Sequence, residues 1–159
     1  MKPNSTKNKG LSILEGVIGI TILLVIITST LLSLSYFLNK NQLNAYATQV
    51  TQVLRKAQGN ALSGYENSPW GVQMDANNKR FILFKGTSYA ERNAAFDEIT
   101  QLSTALSVKN IALNGGGTGM VFAKITGKTN HYGSFDIEES TTAEKVTFTI
   151  NAYGRVEVN

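Results

Sequence analysis

The chain has 159 residues, no cysteine and a formal charge of +4. Without cysteine it has no disulfide, thiol nucleophile or thiolate metal site. The charge does not make it a nucleic-acid binder either: Lys2, Lys7 and Lys9 carry most of the excess, and residues 11–159 hold twelve basic against eleven acidic side chains.

Residues 1–10 form a short basic leader that ends Lys9-Gly10. From Leu11 to Leu38 the chain is apolar or neutral except at Glu15, the fifth residue after Gly10. The uncharged run Gly16–Leu38 is 23 residues long. At about 1.5 Å per residue it covers roughly 34 Å, enough to cross a bilayer. A secretory signal would have an apolar core of about 7–15 residues and a small-residue cleavage site. This run is longer than such a core, so the segment is expected to stay in the mature chain as a membrane helix. Positive charge ahead of the span holds the N-terminus in the cytoplasm and leaves the rest of the chain outside. An isolated carboxylate within a span costs about 2.5–3.5 kcal/mol on insertion scales. That cost marks Glu15 as a residue with a use.

After Asn39-Lys40-Asn41-Gln42 the apolar residues fall at Leu43, Tyr46, Ala47, Val50, Val53, Leu54, Ala57 and Ala61. This three-four spacing predicts an amphipathic helix. Gln49, Gln52, Arg55, Lys56 and Asn60 fall mostly on its other side. No proline interrupts the chain between Pro3 and Ser68. One helix is therefore predicted from about Leu11 to Leu62, on the order of 75 Å long. Gly59 and Ser63-Gly64 mark its fraying and its stop. Its second half is expected to pack on its own domain. Gly16 and Gly19 permit close helix approach.

From Ser68 the pattern changes to short strands separated by turn residues. Residues 70–74 and 80–85 predict a hairpin around the turn Asp75-Ala76-Asn77-Asn78. Residues 87–98 are polar and predict a loop. Further strands are predicted at Ala105–Leu113, Met120–Ile125, Gly133–Glu138, Lys145–Asn151 and Arg155–Val158, with a glycine loop at 115–119. Six to eight strands, mostly antiparallel because their connections are short, are expected. Trp70, Phe81, Phe84, Phe122 and Phe148 are the expected core aromatics.

A basic leader, Gly10, apolar Leu11 and Glu15 at the fifth place of a long apolar helix together resemble the signal of type IV prepilins and pseudopilins. Leu11 stands where Phe is commonest, and Gly16 where a large apolar residue is usual. The resemblance implies cleavage between Gly10 and Leu11 by a prepilin peptidase, N-methylation of Leu11 by the same enzyme, and pairing of Glu15 with a neighbouring subunit's N-terminal amine. Further along, Trp70-Gly71-Val72-Gln73-Met74-Asp75, Phe81-Ile82-Leu83-Phe84, and Phe148-Thr149-Ile150-Asn151 with Gly154-Arg155-Val156 resemble the GspH/FimT type of minor pseudopilin.

The implied fold is the α+β pilin fold: one long N-terminal helix, membrane-spanning in its first half, packed on an antiparallel β-sheet domain. The segments are then the leader 1–10, the transmembrane and filament-core helix 11–38, the amphipathic half 39–63 and the β-rich domain 64–159. The implied function is that of a non-catalytic subunit of a type II secretion pseudopilus or a type IV pilus. Its partners are the prepilin peptidase/N-methyltransferase, the membrane, and other pilin or pseudopilin subunits through residues 11–38. It would reside in the cytoplasmic membrane with one span, then in the filament, and take no cofactor.

Other chemistries fit less well. Gly127-Lys128-Thr129 could end a phosphate-binding loop, but the required first glycine falls on Phe122. The dinucleotide fingerprint counted from Gly115 puts its last glycine on Met120. His131, the single histidine, has Asp136, Glu138 and Glu139 nearby in sequence. Alternation puts Asp136 and Glu138 on one strand face. A solvated acidic edge that discourages strand pairing is favoured over a cation site. No Ser/His/Asp grouping has a recognisable context, so no catalytic residue is assigned; a signal-anchored enzyme or binding protein remains an alternative.

A second alternative is a DNA-binding minor pilin of a competence pilus, whose relatives carry a Gly-Arg-x-Arg tail. Here the tail is Gly154-Arg155-Val156-Glu157. Glu157 would repel phosphate. Lys124 and Lys128 could add charge, but the mature chain is nearly neutral, which disfavours DNA.

Overall fold

The structure, a computed structural model, describes residues 13–159, with the backbone alone for residues 30–39. Helix α1 runs Ile13–Leu62. The chain divides into two compact units, one ending at Leu38 and one beginning at Asn39.

In the first unit, α1 is rich in β-branched residues, which are not the best helix formers. Among the described side chains, the hydroxyls of Thr21, Thr28 and Ser29 are satisfied within the helix. Thr21 Oγ1 donates to the Val17 carbonyl at 2.8 Å, and Thr28 Oγ1 to that of Leu24 at 3.0 Å. Ser29 Oγ donates to the Val25 carbonyl at 2.5 Å. This back-bonding lets hydroxyls sit on an apolar helix without needing water.

In the second unit, the apolar stripe of α1 is buried as the spacing predicts. Leu43, Ala47, Val50, Leu54, Ala57 and Ala61 all belong to the central core. Three of the six are alanines. The helix ends where Gly64 takes up φ 65°, a left-handed conformation that costs glycine little. The Ser63 and Gly64 N–H groups close the last turn on the carbonyls of Gly59 and Ala61.

A short 3-10 turn, Tyr65–Asn67, leads into eight strands. They are β1 Trp70–Asp75, β2 Arg80–Lys85, β3 Asn93–Gln101, β4 Leu106–Leu113, β5 Gly119–Phe122, β6 Gly133–Glu139, β7 Lys145–Ile150 and β8 Val156–Val158. They form two four-stranded sheets, ordered β3-β2-β1-β5 and β4-β6-β7-β8. Every named pairing is antiparallel. Phe81 of the first sheet and Phe135 of the second meet with ring centroids 5.7 Å apart. Trp70, Phe81, Phe122 and Phe148 are buried in the same core as the helix stripe. Phe84 is also buried, though outside that core, under an edge-to-face contact with Tyr89.

The strands make two sheets because β4 pairs with β6 and not with its chain neighbours. The structure corrects the sequence expectations in three places. The predicted loop 87–98 contains most of β3, a nine-residue edge strand. Its side chains are largely exposed, so it shows no apolar alternation; the ladder to β2 and the half-buried Phe96 hold it in place. Strand β5 stops at Phe122, short of Ile125. There the chain turns, with Ile125 at φ 70° and its N–H on the Ala61 carbonyl at 2.8 Å. Finally, β6 lies between β4 and β7, so Asp136 and Glu138 are not on a sheet edge.

Candidate assembly helix and the charged grooves of the second unit

Glu15 lies in the first turn of α1. A carboxylate there is favourable to the helix dipole whatever else it does. Its surroundings are less ordinary. Eleven large apolar side chains between Ile13 and Ile27 are exposed, none less than 46 %. Soluble monomers rarely leave so large a contiguous apolar surface in water. A Cβ added at Gly16 or Gly19 would meet nothing within 4 Å, so both positions are open to close approach by another helix. Gly10 and Leu11, the predicted processing residues, lie outside the described residues.

The predicted span also lies partly outside them. Among the described residues no helix is long and apolar enough to cross a membrane. The described side chains of the first unit end at Ser29, while the uncharged run in the sequence continues to Leu38.

The acidic cluster has a structural role. Asp136 is 5 % exposed. One carboxylate oxygen accepts from Asn110 Nδ2 at 2.8 Å and Lys145 Nζ at 3.1 Å, the other from Thr147 Oγ1 at 2.7 Å. The hydrogen bonds from Asn110 and Thr147, aided by Lys145, hold its carboxyl below the usual range against the opposing effect of burial. Glu138 pairs with Lys109 at 2.9 Å. Glu139, also buried, accepts from the Thr141 and Thr142 N–H groups and so fastens the turn after β6. The Thr142 N–H is the main reason its carboxyl too is held low. The expectation of a solvated acidic edge is therefore corrected. A strand interior to a sheet turns these side chains toward cross-strand partners. Among the described residues, no group of three His, Asp or Glu side chains could hold a metal ion.

The glycine loop is exposed. Gly115, Gly116 and Gly117 have φ of 79°, 73° and 81°, and a Cβ on any of them would meet nothing within 4 Å. The loop connects β4 to β5 and opens no helix, so it lacks the dipole and N–H array of a phosphate cradle.

The C-terminal arginine is neutralised locally. Arg155 Nε stands 3.3 Å from the Glu157 carboxylate on the same strand end. Lys124 and Lys128 differ, since their partners are neutral. Lys124 Nζ donates to Asn67 Oδ1 at 2.8 Å, and Lys128 Nζ sits 5.4 Å from the centroid of the Tyr153 ring. Both line a groove of about 370 Å³ together with His131. Sequence reading linked His131 to the acids downstream and the lysines to a possible polyanion. It missed the groove, because residues 123–131 had no predicted turn that would bring their side chains together.

No family model matches this chain, and no curated protein does. Solved structures do. One of the minor pseudopilin EpsH from the type 2 secretion system of Vibrio cholerae is similar with a TM-score of 0.57 at 14 % identity, covering 74 % of this chain and 96 % of that one. A crystal structure of the same Vibrio cholerae pseudopilin gives 0.56 at 15 %, covering 75 % and 94 %. The chain has the fold of a minor pseudopilin. In that α+β fold an N-terminal helix packs on antiparallel sheets, as the stripe Leu43–Ala61 does here.

Proposed function

We propose that this protein is a minor pseudopilin or pilin subunit, made as a prepilin, cut between Gly10 and Leu11, methylated on Leu11 and assembled into a filament through residues 11–38. The carrying observation is the exposed apolar surface Ile13–Ile27, whose helix continues into the core of a pseudopilin-fold domain. Lipid covers that surface before assembly, and neighbouring helices cover it afterwards. The precursor sits in the cytoplasmic membrane by a single span, with residues 39–159 outside.

Glu15 is the one acidic residue on this helix segment. In the filament it pairs with the methylated, still cationic amine of a neighbouring Leu11. Two charges withdrawn from water together are tolerated, whereas leaving one of them alone costs about 3–5 kcal/mol. The role is structural, with no catalytic residue and no cofactor. The likeness to EpsH supports a type II secretion pseudopilus over a type IV pilus. The Arg155–Glu157 pair weighs against the reading as a DNA-binding pilin, since the carboxylate beside the tail's one arginine repels phosphate.

The test is intact mass and N-terminal sequencing of the protein from membranes, with and without the prepilin peptidase. A chain that begins at N-methylated Leu11 only when the peptidase is present supports the proposal. A chain that begins at Met1 under both conditions refutes it and leaves a plain signal anchor.

A further inference from the structure

We propose that the groove beside β5 is a docking site for an acidic polypeptide segment, which it holds through Lys124 and Lys128 with His131 on its wall. The groove is built by the loop that follows β5. The Ala123 N–H donates to the Lys128 carbonyl at 2.8 Å, and the Gly127 N–H to the Ala123 carbonyl at 2.9 Å. These bonds close the loop and bring Lys124 and Lys128 to its two sides. Ile125 pins the loop to the end of α1 through the Ala61 carbonyl. Gly127 sits so close to the helix that a Cβ would come within 2.7 Å of Leu62 Cγ. The loop backbone that carries the two lysines is therefore held in place, and a ligand has only their side chains to order.

Charge selects the occupant. No carboxylate lines the groove, and neither lysine has an acidic partner among the described residues. Elsewhere in the same unit, Lys56, Arg80, Lys85, Arg92, Lys109, Lys145 and Arg155 each have one, and Lys40, Arg55 and Lys79, which have none among the described residues, lie outside this groove. His131 Nδ1 is buried with no hydrogen-bond partner among the described residues. The rest of the lining includes Thr87, Asn130 and the apolar Val121. A compact basic groove with an apolar wall suits one or two carboxylates on a peptide backbone. A nucleic acid would need a longer basic track, and Arg155, the cation at the C-terminal strand, is already paired.

The experiment is fluorescence anisotropy of a fluorescein-labelled tetraglutamate peptide with the full chain in neutral detergent micelles. Lys124→Gln/Lys128→Gln is compared with Lys40→Gln/Arg55→Gln, which removes the same charge from α1. Two exposed charge contacts of about 0.7 kcal/mol each correspond to a loss on the order of tenfold. That loss is expected in the groove variant, with a change under about twofold in the control and unaltered melting in both. Added salt should weaken the wild-type interaction. Equal weakening in both variants, or no peptide binding by the wild type, overturns the proposal. So does tighter binding of a DNA duplex or of phosphatidylglycerol vesicles through the same two lysines, which would make the groove a polyanion or lipid site.

Discussion

Phe135 on β6 lies directly across from Phe148 on β7, and their rings stack with centroids 4.8 Å and planes 3° apart. The same Phe135 ring stands 5.7 Å from Phe81 in the other sheet. One side chain thus links a cross-strand pair to the contact between the sheets. Phe135→Ala would leave a cavity where three rings meet and is expected to cost about 3–5 kcal/mol, read as a lower urea midpoint. A loss below about 1 kcal/mol would show that the sheets are held together elsewhere.

Gly154 sits at φ 82° in the final hairpin. A Cβ there would overlap the Gly127 carbonyl oxygen and stand 2.5 Å from Gln58 Nε2, the group that donates to the Tyr153 carbonyl at 3.0 Å. Gly154→Ala combines backbone strain with a clash against backbone, so a loss of at least about 2 kcal/mol is expected. Thermal melting checks this.

Asp136 makes stability depend on acid. Its folded carboxyl is held below the ordinary value of about 3.9. A depressed carboxylate contributes stability that is fully present above that ordinary value and is lost as pH falls through the folded one. The melting temperature should therefore drop in acid, beginning near pH 4–5, roughly one unit above the ordinary value. Asp136→Asn should lower the midpoint at neutral pH and flatten the acid slope. Some slope will remain, because Asp75 and Glu139 are held low as well. An unchanged slope in Asp136→Asn would mean that its three partners do not favour the ionised form.

Glu15→Ala should still insert in the membrane and be cut, since it removes a charge from an apolar helix. It should fail to enter filaments or be poorly methylated. Glu15→Gln is the stricter comparison, because it keeps the shape and loses only the charge. Normal incorporation of either variant in sheared filament fractions removes the proposed ion pair from the mechanism.

Much of this was legible in the sequence. The stripe Leu43–Ala61 and the end of α1 at Leu62 follow from local periodicity and from Gly64. Strands β1, β2, β4, β6 and β7 were within one residue of expectation, because each buries apolar residues and is bounded by turn residues or charges. Strand β3 was hidden because an edge strand with exposed side chains has no two-residue apolar rhythm. The Asp136 network was hidden because Asn110, Lys145 and Thr147 come from two other strands, and no local pattern announces such partners.

Sequence by itself determined the apolar segment, its lone Glu15, the helix and most strand positions. These depend on residues close together in the chain, whose spacing and turn chemistry act locally. Tertiary structure alone decided that the strands form two sheets, that Asp136 is buried and paired, and that Lys124, Lys128 and His131 share one groove. Those outcomes depend on which distant segments pair and which charges are thereby neutralised, and a one-dimensional pattern carries no information about either.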